Sequence, residues 1–322
     1  MTERIVLAHL PTPIEPLPRL TKLLQEQQLF IKRDDLTGLG LGGNKTRKLE
    51  YSLAEAQANG AKTILTIGAA QSNHCRQTAA LAARFGLDCI LVLSGNSDQT
   101  PSGNYLLDQL FGAKILWAAR EERQSVFEKA FQQAWEDGLR PYAIPLGASN
   151  ATGTLGYVTA FEEFLSQGLD VDWIVVASSS AGTQAGLALS AKQTGWNGKV
   201  LGISIDQNQP GLQQRVARLV TETADKMGKP MLVSPEEIHV NSDYLGGGYG
   251  IMGQLEIEAI QLFARTEGLL LDPVYTGRAA AGMIDRIRKG FFKSEERVLF
   301  WHTGGTPALF ADVYQSGLSS AD

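Results

Sequence analysis

Short apolar segments alternate with longer amphipathic or alanine-rich segments along most of the chain, from residue 63 onward. This alternation is typical of strands and helices that follow one another as βαβ units, because each helix returns the chain to the start of the next parallel strand. The predicted strands are Thr63–Gly68, Cys89–Ser94, Lys114–Trp117, Trp173–Ala177, Val200–Ile205, Gly268–Leu271 and Val298–Trp301. The predicted helices are Ser72–Phe85, Ser102–Phe111, Glu121–Glu136, Gly153–Ser166 and Gln184–Ala191.

Parallel strands joined by right-handed helical crossovers form sheets that are covered on both faces. The sequence therefore predicts an α/β fold of mostly parallel sheets flanked by helices. Ligands of such sheets bind beyond the carboxyl ends of the strands, so functional residues are expected in the segments that follow predicted strands. Neither an internal repeat nor a coiled coil interrupts the pattern.

The length of 322 residues and the 43% of hydrophobic residues allow a large core and predict about two domains. Composition marks no clean linker between them. The proline- and glycine-containing stretch Pro141–Gly156 is the best candidate for a crossing between two lobes.

Charge and cysteine content exclude several classes of function. Lys+Arg 29 against Asp+Glu 34 gives a net charge of -5, whereas binding to a nucleic acid requires clustered positive charge. The two cysteines, Cys75 and Cys89, form neither a C-x-x-C pair nor a zinc-binding pattern. We therefore expect no metal site, no disulfide framework and a reducing compartment.

The first residues, Met1–Arg4, lack the basic and then apolar order of a secretory signal. No apolar run approaches the roughly 20 residues of a membrane span. We expect a cytoplasmic protein that does not contact a membrane.

Two glycine-containing segments indicate the chemistry. Gly42-Gly43-Asn44-Lys45 places a lysine in a glycine loop, and Ser178–Thr183 follows a predicted strand and precedes a helix. A lysine and a separate anion-binding loop together suit pyridoxal 5'-phosphate (PLP), since the amine forms a Schiff base with its aldehyde and backbone N–H groups bind its phosphate. Each segment alone is common, as a solvated lysine or as an ordinary strand-to-helix turn. The second loop matches neither a P-loop nor a G-x-G-x-x-G motif, which disfavours nucleotides.

Further candidate residues follow predicted strands or occupy glycine-rich loops. Gln71-Ser72-Asn73-His74 begins a helix, either with an ordinary serine cap or as a binding site for a substrate carboxylate. Tyr249 lies in a glycine-rich loop and Tyr275 follows Asp272-Pro273-Val274. Tyrosines are most often packing residues, yet a phenol near Cβ of a substrate could stabilise a leaving group. Thr303 follows the last predicted strand.

These motifs occur together with Lys32-Arg33-Asp34-Asp35 and with Thr46-Arg47-Lys48-Leu49-Glu50. The joint pattern resembles the PLP-dependent family that contains D-cysteine desulfhydrase and 1-aminocyclopropane-1-carboxylate (ACC) deaminase, which has the tryptophan synthase β-like, or type II, fold. The resemblance extends from about Leu10 to Pro307. It implies a large PLP-binding domain of residues 1–47 and 157–322, a small domain of residues 48–156, an active site between them, and a homodimer.

The resemblance also implies roles for individual residues. Lys45 would bind PLP and act as the base at Cα, Asn73 would lie beside the ring oxygen of the cofactor, and Thr303 would face its pyridine nitrogen. The expected catalytic residues are Lys45, Ser72, Tyr249 and Tyr275. The expected cofactor-binding residues are Lys45, Lys48, Asn73, Ser179, Ser180, Ala181, Gly182, Thr183 and Thr303. The expected substrate-binding residues are Ser72, Asn73, His74, Tyr249, Tyr275 and Thr276.

Lys48 lies three residues after Lys45, so the two side chains share one face of a helix. Lys48 could contact the phosphate or lower the pKa of Lys45. Alternatively, Lys48 and Arg47 are merely solvated at the start of the helix.

Two positions distinguish activities within the family. ACC deaminases carry Glu directly after the second tyrosine and Leu after the histidine of the last motif, where this chain has Thr276 and Thr303. The resemblance therefore favours a lyase that converts D-cysteine, a small amino-acid substrate, to pyruvate, hydrogen sulfide and ammonia. Elimination from L-cysteate or D-serine, ACC deamination, and PLP binding without catalysis remain open. A nicotinamide oxidoreductase is disfavoured because the dinucleotide fingerprint is absent.

Overall fold

The computed structural model describes residues 3–319, which form two β-sheets with helices packed around them. The strands are β1 (Ile14–Pro16), β2 (Leu29–Arg33), β3 (Thr63–Ala69), β4 (Asp88–Ser94), β5 (Lys114–Ala118), β6 (Pro141–Ala143), β7 (Trp173–Ser178), β8 (Lys199–Ser204), β9 (Val240–Asn241) and β10 (Val298–His302). The helices are α1 (Pro18–Leu23), α2 (Lys45–Ala58), α3 (Asn73–Phe85), α4 (Gly103–Leu110), α5 (Arg123–Glu136), α6 (Ala151–Ser166), α7 (Gly182–Thr194), α8 (Gln209–Lys226), α9 (Gln254–Glu267), α10 (Thr276–Arg288) and α11 (Asp312–Ser319). None of the described helices is long and apolar enough to cross a membrane.

The larger sheet has six strands in the order β1-β2-β10-β7-β8-β9. Only β1 and β2 are antiparallel, and all other neighbours are parallel. The central strands β7 and β10 are buried along their whole length, because helices cover both faces. Their carboxyl ends lie side by side, so the loop after Ser178 and the segment after His302 meet at one edge of the sheet.

The smaller sheet has four parallel strands in the order β5-β4-β3-β6. The carboxyl end of β3 leads directly into the start of α3, where the Ser72 hydroxyl accepts a hydrogen bond from the Cys75 amide at 3.2 Å. Ser72 is thus the cap of this helix, as a serine with extended backbone before a helix usually is. Gly86, in the left-handed conformation, ends the same helix.

The chain passes from the smaller sheet to the larger one between β6 and β7, and it enters the smaller sheet through α2. All four strands of the smaller sheet lie between residues 63 and 143. The expected domain boundaries after residues 47 and 156 fall inside α2 and α6. That division stays a prediction, and the residues 1, 2 and 320–322 that it includes lie outside the described part of the chain.

One predicted strand is wrong. Gly268–Leu271 forms no strand, because Gly268 adopts a left-handed conformation and ends α9. Leu269 and Leu271 pack into the core beneath the larger sheet without pairing to a strand. Their alternation with exposed Leu270 imitates the period of a strand. The short strands β1, β2, β6 and β9 were not predicted.

A buried polar cluster holds α2 against the larger sheet. Arg47 is 1% exposed and forms ion pairs with Asp34 at 2.8 Å and Glu163 at 2.9 Å. Asp34 also accepts hydrogen bonds from Tyr157 and Trp301. Arg47 is therefore not a solvated residue, as one of the alternatives had it. Since Lys45 begins the same helix, the cluster fixes where that lysine lies.

Candidate active site

A cavity of about 130 Å³ lies between the two sheets. It is roughly ten times the space that one buried water requires, which is on the order of 10–15 Å³, so an organic molecule can occupy it. Its walls come from the ends of strands of both sheets and from the starts of the helices that follow. They include Asn44, Lys45, Ser72, Asn73, His74, Ser178, Ser179, Ser180, Ala181, Thr183, Tyr249, Tyr275 and Thr303.

Lys45 enters the cavity from the first turn of α2. Burial disfavours the charged amine and lowers the pKa of Lys45 to about 8. The preceding loop needs glycine: a Cβ on Gly42, which has φ +69, would lie 1.9 Å from the Asp35 carbonyl oxygen. The loop is tied to the larger sheet because the Asn44 amide donates to the Thr303 carbonyl oxygen at 2.9 Å.

The loop between β7 and α7 has the geometry of an anion-binding site. Ala181 adopts φ +74, an unusual conformation for a residue with a side chain, directly before the first residue of α7. A bend of this kind together with a helix start directs successive backbone N–H groups to one side. The hydroxyl of Ser178 is buried and has no hydrogen-bond partner among the described residues. Thr183 accepts a hydrogen bond from the Asn44 side chain at 3.0 Å, which joins this loop to the lysine loop.

Lys48 is fully buried beside this loop. Its ammonium group donates to the Gly147 carbonyl at 3.1 Å and to the Ser149 hydroxyl at 3.0 Å, and it forms no ion pair with a described carboxylate. A Cβ on Gly182 would lie 2.9 Å from the Lys48 Nζ, so a larger residue here would displace the lysine amine. A buried lysine without an acidic partner, at the start of a helix, fits a phosphate group.

The structure gives the lowered pKa of Lys45 a cause other than Lys48. The pKa of Lys45 falls through burial. Burial and then the nearby charge of Lys45 lower the pKa of Lys48 well below its usual value.

The start of α3 forms another part of the cavity wall. Ser72 and Asn73 are buried and line the cavity with their polar groups. His74 is also buried and its Nε2 is 2.8 Å from the Thr66 hydroxyl. Burial, followed by the charges of Lys45 and Lys48, lowers the pKa of His74, so its imidazole is neutral. The first N–H groups of a helix have no partner within the helix, and the Ser72 hydroxyl accepts that of Cys75.

Tyr249 and Tyr275 meet at the cavity wall with their phenol oxygens 2.7 Å apart. Burial raises the pKa of Tyr249 to about 12, and burial and the neighbouring Tyr249 raise the pKa of Tyr275 well above its usual value. Both phenols are therefore protonated near neutral pH. The loop of Tyr249 is held by buried Arg278, which donates to the carbonyl oxygens of Gly248 at 3.1 Å and Ile251 at 2.8 Å.

Thr303 lines the cavity, but Thr276 does not. The Thr276 hydroxyl is fully buried and donates to the Asp272 carboxylate at 2.7 Å, so it is directed into the start of α10. The prediction of Thr276 as a substrate-binding residue is therefore wrong for its side chain. Asp272 accepts three backbone N–H groups of this turn, including that of Tyr275 at 3.0 Å, and so places the tyrosine.

Sequence reasoning missed several residues of the site. Arg120 and Arg123 line the cavity beside Ser72 and Ser94, and Arg123 donates to the Ser94 hydroxyl at 3.3 Å. Neither arginine forms an ion pair with a described carboxylate, so their charge is available to a ligand. Nothing in their local sequence marks them, because they follow an ordinary strand. The described residues contain no cluster of histidine, cysteine, aspartate and glutamate that could hold a metal ion.

Comparisons with known proteins agree with this arrangement. The family model described as "Pyridoxal-phosphate dependent enzyme" matches residues 5–304. A crystal structure of an ACC deaminase homologue is 38% identical, with a TM-score of 0.90 over 99% of this chain and 96% of the other. A fungal L-serine ammonia-lyase from Rhizomucor miehei is 16% identical, with a TM-score of 0.69 over 97% of each chain. O-ureido-L-serine synthase is 16% identical, with a TM-score of 0.70 over 98% of this chain and 95% of the other. The last two show likeness of fold alone.

Proposed function

Because this chain belongs to the family of pyridoxal-phosphate dependent enzymes, we propose that it is a lyase that converts D-cysteine and water to pyruvate, hydrogen sulfide and ammonia. The bound cofactor supplies an aldehyde that condenses with amines and a ring that accepts electron density from Cα of an amino acid. The remaining work of binding the substrate and moving its protons falls to residues of the chain.

The cofactor has a fitting residue for each of its polar groups. In this proposal Lys45 is the amine for the aldehyde, and Asn73 is a donor to the ring oxygen. The loop of Ser179, Ser180, Ala181, Gly182 and Thr183, with Lys48 behind it, is suited to the phosphate. Thr303 offers the pyridine nitrogen a neutral hydroxyl. Such a partner leaves the nitrogen largely uncharged, which is adequate when a good leaving group departs from Cβ.

Lys45 is the base that we propose for Cα. A base must be neutral to accept a proton, and a pKa of about 8 leaves about a quarter of the amine neutral at pH 7.5. Ser72 and the N-terminus of α3 would bind the carboxylate of the substrate and hold Cα within reach of the lysine. Arg123 adds positive charge on the same side, since its bond to Ser94 places it near the start of α3.

The observation that carries the proposal is the pair Tyr249 and Tyr275 in the same cavity as Lys45. A thiolate leaving Cβ gains from a nearby O–H donor, and both phenols keep their protons because burial raises their pKa values. Either phenol can hydrogen-bond the sulfur while the other supports it. A protein that only binds the cofactor would need no such donors.

ACC deamination is a second candidate, favoured by the 38% identity to the ACC deaminase homologue. Cyclopropane ring opening lacks a good leaving group and benefits from a more strongly polarised cofactor. The neutral Thr303 argues against that chemistry. Thr276 argues less strongly than its sequence position implies, because its hydroxyl is directed toward Asp272 and not into the cavity.

A panel of amino acids tests the choice. The PLP-saturated enzyme should form pyruvate and sulfide from D-cysteine and little 2-oxobutanoate from ACC. L-Cysteine, D-serine and L-cysteate, with detection of pyruvate and of each leaving group, examine the stereochemistry and the neighbouring substrates. Lys45→Ala is the control for non-enzymatic release of sulfide. Robust 2-oxobutanoate formation from ACC by the wild type, without pyruvate from D-cysteine, would overturn the proposal.

A further inference from the structure

The side-chain amide of Asn73 has one end held by a hydrogen bond and the other without a partner among the described residues. Its Oδ1 accepts a hydrogen bond from Asn104 Nδ2 at 2.9 Å. Its Nδ2 has no partner among the described residues, and the residue lines the cavity. An asparagine amide can adopt two orientations that exchange a donor for an acceptor, so its neighbours decide which group a ligand meets.

The hydrogen-bonding neighbours of Asn73 permit only one orientation of its side-chain amide. The Arg76 guanidinium, which can only donate, donates from Nη1 to Asn104 Oδ1 at 3.1 Å. The other end of the Asn104 amide must then be its NH₂ group, which donates to Asn73 Oδ1 and to the Gln71 carbonyl oxygen at 3.0 Å. Asn73 Oδ1 is therefore the acceptor, and Asn73 Nδ2 is the donor that remains free.

The residues that form these hydrogen bonds are buried and held by further contacts. Arg76 and Asn104 are both 0% exposed, and Arg76 also donates to the Gly42 carbonyl oxygen at 2.6 Å, in the loop that precedes Lys45. The backbone amide of Asn104 donates to the Gln71 side chain at 2.8 Å. Gln71, the first residue of the Gln71–His74 motif, therefore contacts Asn104 through both its side chain and its backbone carbonyl. Two buried polar residues outside the cavity therefore connect the lysine loop to Asn73.

We propose that Arg76 and Asn104 are positioning residues that hold the Asn73 amide with its NH₂ group toward the phenolic oxygen of bound PLP. The proposal rests on the role proposed above for Asn73. In this orientation Asn73 donates to the oxygen and favours its anionic form. In the reversed orientation a carbonyl oxygen would face the phenolic oxygen, and the oxygen would retain its proton.

Asn104→Asp tests the proposal with the smallest possible change. The new carboxylate keeps the acceptor for Arg76 and loses the donor to Asn73, so the Asn73 amide is free to reverse. The absorption spectrum of the bound cofactor reports the state of the phenolic oxygen without any substrate. We expect the visible band of the holoenzyme to fall relative to the near-ultraviolet band, by about tenfold, as for the loss of a hydrogen bond to a charged group. The pH at which the two bands exchange should rise.

Asp108→Asn is the matched control. Asp108 lies one turn later on α4, is 0% exposed, and its carboxyl oxygens have no partner among the described residues. Burial raises the pKa of Asp108 well above its usual value, and an asparagine side chain has the shape of the carboxyl group, so the change is isosteric. This variant should keep the wild-type spectrum.

Two further variants, Asn104→Ala and Asn73→Ala, distinguish a wrong positioning role from a wrong contact with the cofactor. If Asn104→Asp does not fold, Asn104→Ala removes the donor without adding a buried charge and should shift the bands in the same direction. If Asn73→Ala shifts the bands but neither Asn104 variant does, the positioning role is wrong although Asn73 contacts the cofactor. If Asn73→Ala leaves the spectrum unchanged, the contact itself is wrong and the positioning role falls with it. Neither result bears on the choice between D-cysteine and ACC.

Discussion

The reactivity of Lys45 in the cofactor-free protein should rise with pH around a midpoint near 8, well below that of an ordinary lysine. The neutral amine is the reactive form. Because burial lowers the pKa of Lys45 in the folded protein, the neutral amine is present above pH 8 and is lost as the pH falls through 8. Replacing Lys48 by methionine should leave this midpoint unchanged, since burial is what lowers the pKa of Lys45.

The size of the effect follows from the two pKa values. The ordinary value is 10.5 and the value in the cavity is about 8. This difference corresponds to about 3 kcal/mol of penalty on the charged form, at about 1.36 kcal/mol per pH unit. At pH 7.5 about a quarter of Lys45 is neutral, against roughly one in a thousand of an ordinary lysine amine. Lys45 should therefore react with acylating reagents far faster than a free lysine at this pH.

Competitive acetylation measures this midpoint directly. The apoprotein and a lysine derivative of known pKa are labelled together with trace acetic anhydride at a series of pH values, and the peptide that contains Lys45 is quantified by mass spectrometry. Buffers free of phosphate and sulfate keep the loop at Ser178 empty of competing anions. The same series on the holoenzyme should show Lys45 protected.

A midpoint near 10 in the wild-type apoprotein would refute the view that burial sets the pKa of Lys45. A wild-type midpoint near 8 that rises clearly in Lys48→Met would instead show that the charge of Lys48 lowers it. Protection of a different lysine by the cofactor would end the assignment of Lys45 itself.

Lys45→Ala should abolish turnover of D-cysteine in a pyruvate assay yet retain weak PLP binding in equilibrium dialysis, because the phosphate contacts remain; turnover near the wild-type rate would contradict its role as the base. Tyr249→Phe and Tyr275→Phe should each lower kcat by about 100-fold or more, and the double variant should be no slower than the slower single one, since the phenols act as a unit. Losses that multiply would show that the two act independently. Arg47→Met should lower the free energy of unfolding by about 3–5 kcal/mol in denaturant titrations because it leaves buried carboxylates unpaired, whereas the exposed-site control Arg218→Met should change it by less than about 0.5 kcal/mol; equal effects would contradict the importance of the buried cluster.

Periodicity was sufficient for the central architecture, because the strands β3, β4, β7, β8 and β10 are apolar runs bounded by glycine or polar turns. It failed at Gly268–Leu271, where leucines pack beside a helix end with the spacing of a strand. It also missed β9, whose two residues carry no pattern. Strand pairing between β2 and β10, which are separated by most of the chain, has no local signal at all.

The candidate site was predictable where backbone geometry demands special residues. The glycines before Lys45 and the small residues at Ser179–Gly182 mark loops that few other residues can form. Arg123 and Asn104 were not predictable, because an arginine or asparagine at the start of a helix is ordinary. Their importance comes from tertiary neighbours alone. Thr276 was predicted to lie in the site, but its hydroxyl points to Asp272 and away from the cavity that the adjacent Tyr275 lines.

One wall of the cavity comes from the larger sheet and the other from the smaller sheet. Lys45 and the loop at Ser178–Thr183 are anchored to the larger sheet or to its buried ion-pair cluster. Ser94 ends β4, and Arg120 and Arg123 follow β5 in the smaller sheet, with a hydrogen bond from Arg123 to Ser94. Under the proposed assignment of the site, a mutational library restricted to positions 94 and 119–123 would vary the substrate side and leave the residues proposed to hold the cofactor unchanged. The same separation offers natural variants a route to new amino-acid substrates without an intermediate that has lost its cofactor.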